Sequence, residues 1–288
     1  MERIVTVANG TRLCIDELGD PAGPLTVQLE GHMAQLVATP SSFCQRLADR
    51  GVHVVRVDHR DVGRSQRFPG VDYDLQDMAE DTHGLVAELG RPAIVCGRSM
   101  GGMIAQLLAL THPGDVAALG LFYTAAGSAR AGQSDPEPMA EFPDLDAYTR
   151  WQATGLPGIA GPAYPASLTD IAEVSRRSWQ RGVDAAGFTR QARALARTPD
   201  WRSRLAEIAV PVTIVHGDAD PVIPLPAAHE LQALIPGSVL TVVPGMGHQQ
   251  PVELDAFFAD VVTDLRAQTA EARDDAVAPR WGGPPLSP

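Results

Sequence analysis

Two kinds of apolar segment alternate along the chain and together predict an α/β fold. Short β-branched runs are typical of strands buried on both faces of a parallel sheet, whereas longer segments carry apolar residues at helical spacing. Strands are predicted at Ile4–Val7, Leu13–Leu18, Leu25–Leu29, Val52–Val57, Pro92–Cys96, Val116–Tyr123, Val212–Val215 and Val239–Val243. The first pair alternates apolar and polar residues and is expected to be antiparallel. The whole pattern predicts a mostly parallel sheet of about eight strands, covered by helices on both faces.

Helices are predicted between these strands and, without interruption by strands, in the middle of the chain. The helices that flank the strands are predicted at Ser41–Arg50, Asp74–Leu89, Met103–Leu110, Ala227–Leu234 and Leu254–Arg266. From 129 to 207, breaks at Asp135–Pro138 and Gly155–Pro165 separate helical stretches that include Leu168–Arg181 and Ala185–Ala196. An all-helical insertion of this kind is expected to lie over one edge of the sheet as a lid. A second independent domain is the alternative, but the sheet pattern resumes directly afterwards.

The predicted domain organisation follows from these boundaries. Residues 1–128 form the first part of the core sheet, 129–207 the helical lid and 208–269 the second part of the core. The tail, 270–288, is charged and then rich in proline and glycine, and is predicted to be disordered.

The composition excludes several kinds of catalytic chemistry and of binding partner. A net charge of −12 argues against a nucleic-acid partner, and the absence of lysine excludes Schiff-base chemistry and a P-loop. The three cysteines are scattered without metal-ligand spacing, so neither a disulfide framework nor a zinc site is expected. With no visible leader or membrane span, we expect a cytoplasmic protein that acts on a small molecule without cofactor, metal or membrane partner. The oligomeric state stays open.

The motif Gly97-Arg98-Ser99-Met100-Gly101 follows a predicted strand and precedes a predicted helix. A serine on a tight strand-to-helix turn has its hydroxyl pushed out of the sheet, and its neighbours must be small. The helix N-terminus supplies unpaired N–H groups where an oxyanion would form. The alternative is an ordinary strand–turn–helix in which the serine has no catalytic role. The predicted partners of Ser99, described next, argue against that alternative.

Those partners also follow predicted strands. Asp218 and Asp220 come after Val212–Val215, and His248 after Val239–Val243. Parallel sheets place ligands at the carboxyl ends of their strands, so these side chains are expected to meet Ser99. A serine hydroxyl needs a histidine to accept its proton, and that histidine needs a carboxylate to fix its tautomer.

These motifs resemble those of the α/β hydrolases from Val5 to about Arg266. The matching segments are Gly97–Gly101, Gly217–Pro221, Gly245–His248 and the loop Asp58–Ser65. Within that superfamily the chain is most similar to actinobacterial aclacinomycin methylesterase-like proteins, which tailor polyketides by cleaving a methyl ester. The resemblance implies a triad of Ser99, Asp220 and His248, with Asp218 as a turn former. It also implies that the backbone N–H groups of His32 and Met100 form the oxyanion hole.

One residue departs from the family pattern, which usually has His-Gly after the third strand. Here the pair is Glu30-Gly31. The third strand and the nucleophile strand are neighbours in this fold, so Glu30 and Arg98 are predicted to form an ion pair beneath the oxyanion hole. Two alternatives remain: each side chain points separately to water, or Glu30 acts as a general acid or base.

The expected function is therefore hydrolysis of a carboxylic ester of an apolar small molecule through an acyl-enzyme, and the resemblance implies a polyketide methyl ester. A decarboxylase, C–C bond hydrolase or cyclase with the same site is the alternative, and a binding protein without turnover is a third reading. The lid aromatics are candidates for substrate binding: Trp151, Tyr164, Trp179 and Phe188. Packing of these side chains against each other within the lid is the competing expectation.

Overall fold

The computed structural model describes residues 2–128 and 132–277, with side chains as far as 269. Its eight strands form a single sheet in the order β1-β2-β4-β3-β5-β6-β7-β8. Their bounds are β1 Glu2–Thr6, β2 Arg12–Leu18, β3 Leu25–Leu29, β4 His53–Val57, β5 Ala93–Arg98, β6 Val116–Phe122, β7 Val212–Gly217 and β8 Val239–Val243. Strands β1 and β2 are antiparallel to their neighbours and the others are parallel. The predicted fold class is confirmed.

The helices outside the lid cover both faces of the sheet with their apolar residues. The helices are α1 Ser41–Asp49, α2 Leu75–Leu89, α3 Met100–Thr111, α4 Leu145–Ile159, α5 Leu168–Arg181, α6 Ala185–Arg197, α7 Leu225–Leu234 and α8 Asp255–Val277. Phe43 of α1 and Phe258 of α8 are fully buried in one core cluster. Leu75 of α2, Ile104 of α3 and Leu231 of α7 are fully buried in the other, larger cluster.

The strand order reverses between β3 and β5. After β3 the chain moves outward to β4, and it then returns across β3 to form β5. A reversal of this kind opens a crevice at the carboxyl ends of the two strands. Leu29 of β3 pairs with Gly97 of β5, so the residues that follow each strand are neighbours across this crevice.

Between β6 and β7 the described chain contains α4, α5, α6 and a short 3-10 helix at Arg202–Glu207, and no strand. The break predicted from Gly155 onwards is wrong in its position, since α4 continues to Ile159 with Pro157 inside its last turn. A proline lacks the N–H that would bond four residues back, but only two residues of α4 follow Pro157, so little helix is left to disrupt. Ala160 N–H bonds to the Leu156 carbonyl and His248 N–H to the Ile159 carbonyl, so the final turn is held from outside the helix as well.

The last helix also runs further than expected. Residues 270–277, predicted to belong to a disordered tail, are helical as the end of α8. This segment contains alanine, glutamate and arginine, which favour helix, and the first proline comes only at Pro279. The remainder of the predicted tail, 278–288, lies outside the described residues. Within the described chain, no helix combines the length and the apolar character that crossing a membrane requires.

Candidate active site

Ser99 lies in the crevice between β3 and β5, on a tight turn from β5 into α3. Its backbone has φ of 51° and ψ of −118°, a conformation that L-residues rarely adopt. The turn requires small neighbours, because a Cβ on Gly97 would overlap the Gly101 backbone and one on Gly101 would overlap the end of β3. Ser99 N–H bonds to the Phe122 carbonyl at 3.0 Å, which fixes the turn against β6.

The structure brings His248 and Asp220 to Ser99. The Ser99 Oγ lies 2.9 Å from Nε2 of His248, and Nδ1 of His248 lies 2.7 Å from Oδ2 of Asp220. A neutral imidazole with its proton on Nδ1 donates to the carboxylate and accepts the serine proton at Nε2. This is the arrangement that an activated serine nucleophile requires.

The loop that follows β7 separates the roles of its two aspartates. Asp220 is 5% exposed, and its Oδ1 accepts hydrogen bonds from the N–H groups of Val222 and Ile223 at 2.8 and 2.9 Å. Its other oxygen is thereby aimed at His248. Asp218 instead accepts from Gly245 N–H at 2.6 Å and holds the loop that carries His248. The structure thus pairs Asp220, rather than Asp218, with the histidine.

The two backbone N–H groups predicted as oxyanion donors belong to residues close to Ser99. Met100 is the first residue of α3, and the first N–H groups of a helix have no intrahelical acceptor. His32 follows Gly31, and a Cβ on Gly31 would lie 3.2 Å from the Ser99 Cβ. The His32 imidazole donates from Nε2 to the Phe188 carbonyl at 2.8 Å, so this side chain joins the turn to the lid.

Tyr123, which sequence reasoning missed, lies against the histidine. Its ring centroid is 5.1 Å from that of His248 at an interplanar angle of 73°, an edge-to-face contact that restricts the imidazole. Tyr123 has a positive φ of 38°, and burial raises the pKa of its hydroxyl. A tyrosine that follows a strand has no local signature of such a role. The one feature of the sequence that could have placed Tyr123 near Ser99 is its position directly after β6, the strand beside β5.

A cavity of about 440 Å³ adjoins this site, between the lid and the core. Its wall includes Glu30, which precedes Gly31, and Gln249, which follows His248. It also includes Tyr123, which contacts His248. Apolar side chains form much of the remaining wall, among them Val37, Leu156, Ile159, Tyr164, Ile171 and Val174. Ser99 and His248 themselves are not part of this wall, so the cavity lies beside the serine rather than around it.

The four lid aromatics separate into two groups. Tyr164 lines the cavity, whereas Trp151, Trp179 and Phe188 pack together beside Tyr148 and Met33 in a cluster that we call the lid cluster. The Trp151 and Phe188 rings stack with centroids 6.4 Å apart, and Phe188 is only 1% exposed. Of the four, only Tyr164 lies on the wall of this cavity.

The end of α4 is joined to the loop that carries His248. The His248 N–H donates to the Ile159 carbonyl at 2.8 Å, and Ala163 N–H donates to the Gly245 carbonyl at 3.1 Å. The two backbones approach so closely that a Cβ on Gly161 would overlap Gly245 and Gly247. We call this contact, between 159–164 and 245–249, the lid junction.

Glu30 and Arg98 are neighbours at the ends of β3 and β5, as predicted. Arg98 Nη1 lies 3.9 Å from Glu30 Oε1, which is an ion pair without a direct hydrogen bond. The guanidinium donates instead to Gln250 Oε1 at 2.6 and 2.9 Å and to Gln28 Oε1 at 3.1 Å. Both side chains are buried, so neither points separately to water.

The loop after β4 ties the lid to the core. Asp58 is fully buried, accepts from Leu36 N–H at 2.8 Å and forms an ion pair with Arg181 of α5. Burial raises the pKa of Asp58 in spite of that arginine. Asp61 pairs with Arg190 of α6 at 2.6 Å. The segment Asp58–Ser65 is therefore structural and orients the lid.

One group of potential metal ligands lies away from this site. His83, His112 and Asp115 have ligand atoms within 4.8 Å of one another, near the end of α3 opposite to Ser99. The two imidazole rings stack with their centroids 3.7 Å apart and their planes at 9°. The nitrogen lone pairs lie in these nearly parallel planes and so do not converge on one ion. Asp115 and Glu80 each bind one ring nitrogen, at 2.5 and 2.9 Å. The cluster is explained by these pairs alone.

Comparison with known proteins identifies the family. Residues 32–255 match a family model described as serine aminopeptidase, S33. The rhodomycin D methylesterase DauP of Streptomyces sp. (strain C5) is 28% identical over 294 residues, covering 88% of this chain and 94% of that protein. A non-heme haloperoxidase of Rhodococcus erythropolis is 30% identical over 237 residues, covering 77% of this chain and 85% of that protein.

A solved structure agrees with these relatives. The crystal structure of a hydrolase from Pseudomonas aeruginosa PA01 superposes with a TM-score of 0.77 at 26% identity, covering 92% of this chain and 98% of that one. The chain therefore belongs to the serine aminopeptidase, S33, family and is an α/β hydrolase of the esterase type.

Proposed function

We propose that this protein hydrolyses the carboxylic methyl ester of a fairly large apolar molecule of the polyketide class through an acyl-enzyme on Ser99. The observation that carries the proposal is the chain of contacts from Ser99 Oγ to His248 at 2.9 Å and from His248 to Asp220 at 2.7 Å. The resemblance to aclacinomycin methylesterase-like proteins and the rhodomycin D methylesterase relative support the methyl ester as the reacting group.

In the first half of the reaction, Ser99 Oγ attacks the ester carbonyl carbon while its proton passes to His248 Nε2. The carbonyl oxygen becomes an oxyanion and accepts hydrogen bonds from the N–H groups of His32 and Met100. The bond from carbon to the methoxy oxygen then breaks, and His248 returns the proton so that methanol leaves. The acyl group remains esterified to Ser99.

In the second half, His248 takes a proton from water, and the resulting hydroxide attacks the acyl carbon. A second oxyanion forms at the same donors and collapses with cleavage of the bond to Oγ. His248 protonates Ser99, and the carboxylic acid leaves. Asp220 stays ionised throughout and stabilises the imidazolium that forms in each half.

The cavity supports a large apolar acid rather than a small one. Its volume of about 440 Å³ lies in the range of pockets that enclose drug-sized ligands. A methyl leaving group needs little space, so we assign this cavity to the acyl part of the ester.

Two measurements test the proposal. A fluorophosphonate probe is expected to label one equivalent of the protein at Ser99, with no labelling of Ser99→Ala. Wild-type protein is expected to release methanol from bulky aromatic methyl esters, and Ser99→Ala should lose about 10³-fold or more in kcat.

The products separate the alternatives with the same site. Release of carbon dioxide without methanol would favour a decarboxylase, and a new carbon skeleton of unchanged mass would favour a cyclase. Absence of labelling at Ser99 would contradict an activated nucleophile and would favour a binding protein.

A further inference from the structure

Glu30 occupies an unusual place for a carboxylate. It follows β3 directly, is 5% exposed and forms part of the cavity wall. The next residue, Gly31, lies against Ser99. Glu30 is therefore one residue along the chain from the turn that contacts Ser99. A buried carboxylate at this position needs a partner, because burying an unpaired charge is costly.

The partners of Glu30 occupy only one of its two oxygens. Oε1 accepts the hydroxyl proton of Thr39 and is also the atom nearest to Arg98. The Arg98 hydrogen bonds go to Gln28 and Gln250, so the arginine supplies positive charge without using the acceptor capacity of Glu30. Within the described part of the chain, Oε2 accepts no hydrogen bond and is left for a ligand in the cavity.

The backbone of Glu30 is held equally firmly. His59 Nε2 donates to the Glu30 carbonyl at 3.2 Å, and burial lowers the pKa of His59 to about 4, which keeps the ring neutral at ordinary pH. The Thr39 hydroxyl then fixes the carboxylate. An acceptor that is oriented before the ligand arrives loses little conformational entropy on binding.

We propose that Glu30 Oε2 accepts a hydrogen bond from a hydroxyl group on the acyl part of the substrate and so selects hydroxylated, phenol- or alcohol-bearing esters. This inference rests on the ester hydrolysis proposed above. A neutral donor fits better than an ammonium group, because Arg98, 3.9 Å from the carboxylate, already compensates its charge and would repel a second cation.

The expected selectivity is large. A hydrogen bond to a buried charged acceptor corresponds to roughly 10- to 100-fold in kcat/KM, because an ester without the hydroxyl leaves that acceptor unpaired. The experiment compares methyl naphthoate with its series of monohydroxylated isomers, which places the hydroxyl at successive ring positions. At least one isomer is expected to exceed the parent ester in kcat/KM by about tenfold or more.

Two variants locate the selectivity. In Glu30→Gln the amide oxygen faces Thr39 and Arg98, which leaves the amide NH₂ toward the cavity, so the ratio of hydroxylated to parent ester should fall at least about fivefold. Glu253→Gln is the matched control, because Glu253 is an exposed carboxylate on the wall of the same cavity, and it should keep the wild-type ratio. An unchanged ratio in Glu30→Gln, or no preference among the isomers in wild-type protein, would overturn the proposal.

A structural measurement covers the case in which Glu30→Gln does not fold. In crystals of Ser99→Ala with the preferred hydroxylated ester, the ligand hydroxyl should lie within hydrogen-bond distance of a Glu30 oxygen. A hydroxyl bound elsewhere overturns the inference. If wild-type protein hydrolyses none of the esters but Ser99→Ala binds the hydroxylated ones at Glu30, the proposed hydrolysis fails while the inference about Glu30 stands.

Discussion

Ser99 shows how a single residue can combine strain and function. A non-glycine residue at φ of 51° and ψ of −118° costs on the order of 1–3 kcal/mol, which the packing of α3 against the sheet must offset. In return the hydroxyl is held 2.9 Å from His248, and the start of α3 lies directly beside it. The same conformation explains why both flanking glycines are required.

The two aspartates of the loop after β7, Asp218 and Asp220, allow the same substitution to be compared at two neighbouring positions. Asp220→Asn should reduce kcat by about 10³- to 10⁴-fold, because the amide cannot hold the histidine in the required tautomer. Asp218→Asn should have a far smaller effect, since Asp218 contacts only the Gly245 N–H among the groups of the His248 loop. Steady-state kinetics of both variants on one methyl ester provide the measurement, and equal losses would contradict the assignment of the acid to Asp220.

A buried histidine makes stability depend on pH. The pKa of His59 is lowered by burial to about 4, below its ordinary value of 6.5, so the folded protein binds fewer protons than the unfolded chain. The stability that neutral His59 contributes is present above pH 6.5 and is lost as the pH falls towards 4. Between pH 7.5 and 5 this amounts to about 2 kcal/mol in the free energy of unfolding.

Urea titrations at the two pH values test this dependence. His59→Gln should lose less stability between pH 7.5 and 5 than wild-type protein does. His229→Gln, which replaces an exposed histidine, should keep the wild-type dependence. An equal pH dependence in wild-type protein and His59→Gln would show that other groups are responsible.

At the scale of elements, the lid is anchored to the core by ion pairs as well as by apolar contacts, since Ala194 and Leu195 of α6 belong to the larger core cluster. Arg181 of α5 reaches Asp58, and Arg190 of α6 reaches Asp61. Both aspartates follow β4, so the same loop that borders the crevice also positions two lid helices. The lid cluster then completes the interface through Met33 and Val62 of the core.

Removal of one such partner should be costly. Arg181→Met leaves Asp58 buried without its cation and is expected to destabilise the protein by about 3 kcal/mol or more. For a chain of this size that corresponds to a decrease in Tm of roughly 5 °C or more. Arg176→Met, one turn away on the exposed face of the same helix, should leave Tm almost unchanged. Differential scanning fluorimetry distinguishes the two, and similar Tm values would argue against the anchor.

The elements also differ in how far their own sequence determines them. The central strands were predictable because burial on both faces demands continuous apolar runs, and the first pair because it alternates apolar and polar residues. The polar groups that follow the parallel strands had to meet at one edge. The length of α4 was not predictable, because its last turn past Pro157 is held by the loop that carries His248, which is distant in sequence. The positions of the lid aromatics and the contact of Tyr123 with His248 likewise depend on tertiary packing, which has no local pattern.

At the scale of the whole molecule, the lid junction links the end of α4 in the lid to the core loop that carries His248. Gly161→Ala introduces a Cβ into the backbone of Gly245 and Gly247, which must shift the loop that carries His248. We expect a loss of about tenfold or more in kcat, since a displacement of about 1 Å in a catalytic group can cost 100-fold. Comparison of kcat with KM tests this, because a purely structural effect on the cavity would change KM instead.

Gly155→Ala is the matched control for that substitution. Gly155 lies in α4 with nothing within 4 Å of an added Cβ, so the variant should keep wild-type kcat. Its free energy of unfolding should rise by up to about 1 kcal/mol, because alanine favours helix over glycine. Loss of activity in Gly155→Ala would mean that α4 responds to substitution as a whole rather than through the lid junction.

The lid junction also limits how this protein can acquire new substrates. A lid grafted from a relative at the boundaries 129 and 207 would replace Ile159 and Gly161 but leave their partners in 245–249 unchanged. Such a chimera would mismatch at His248, the general base that we propose, and we expect it to lose turnover even if the new cavity bound its ligand well. Exchange of both segments together should preserve turnover, so the unit of recombination in this fold is a pair of segments separated by about 80 residues of sequence.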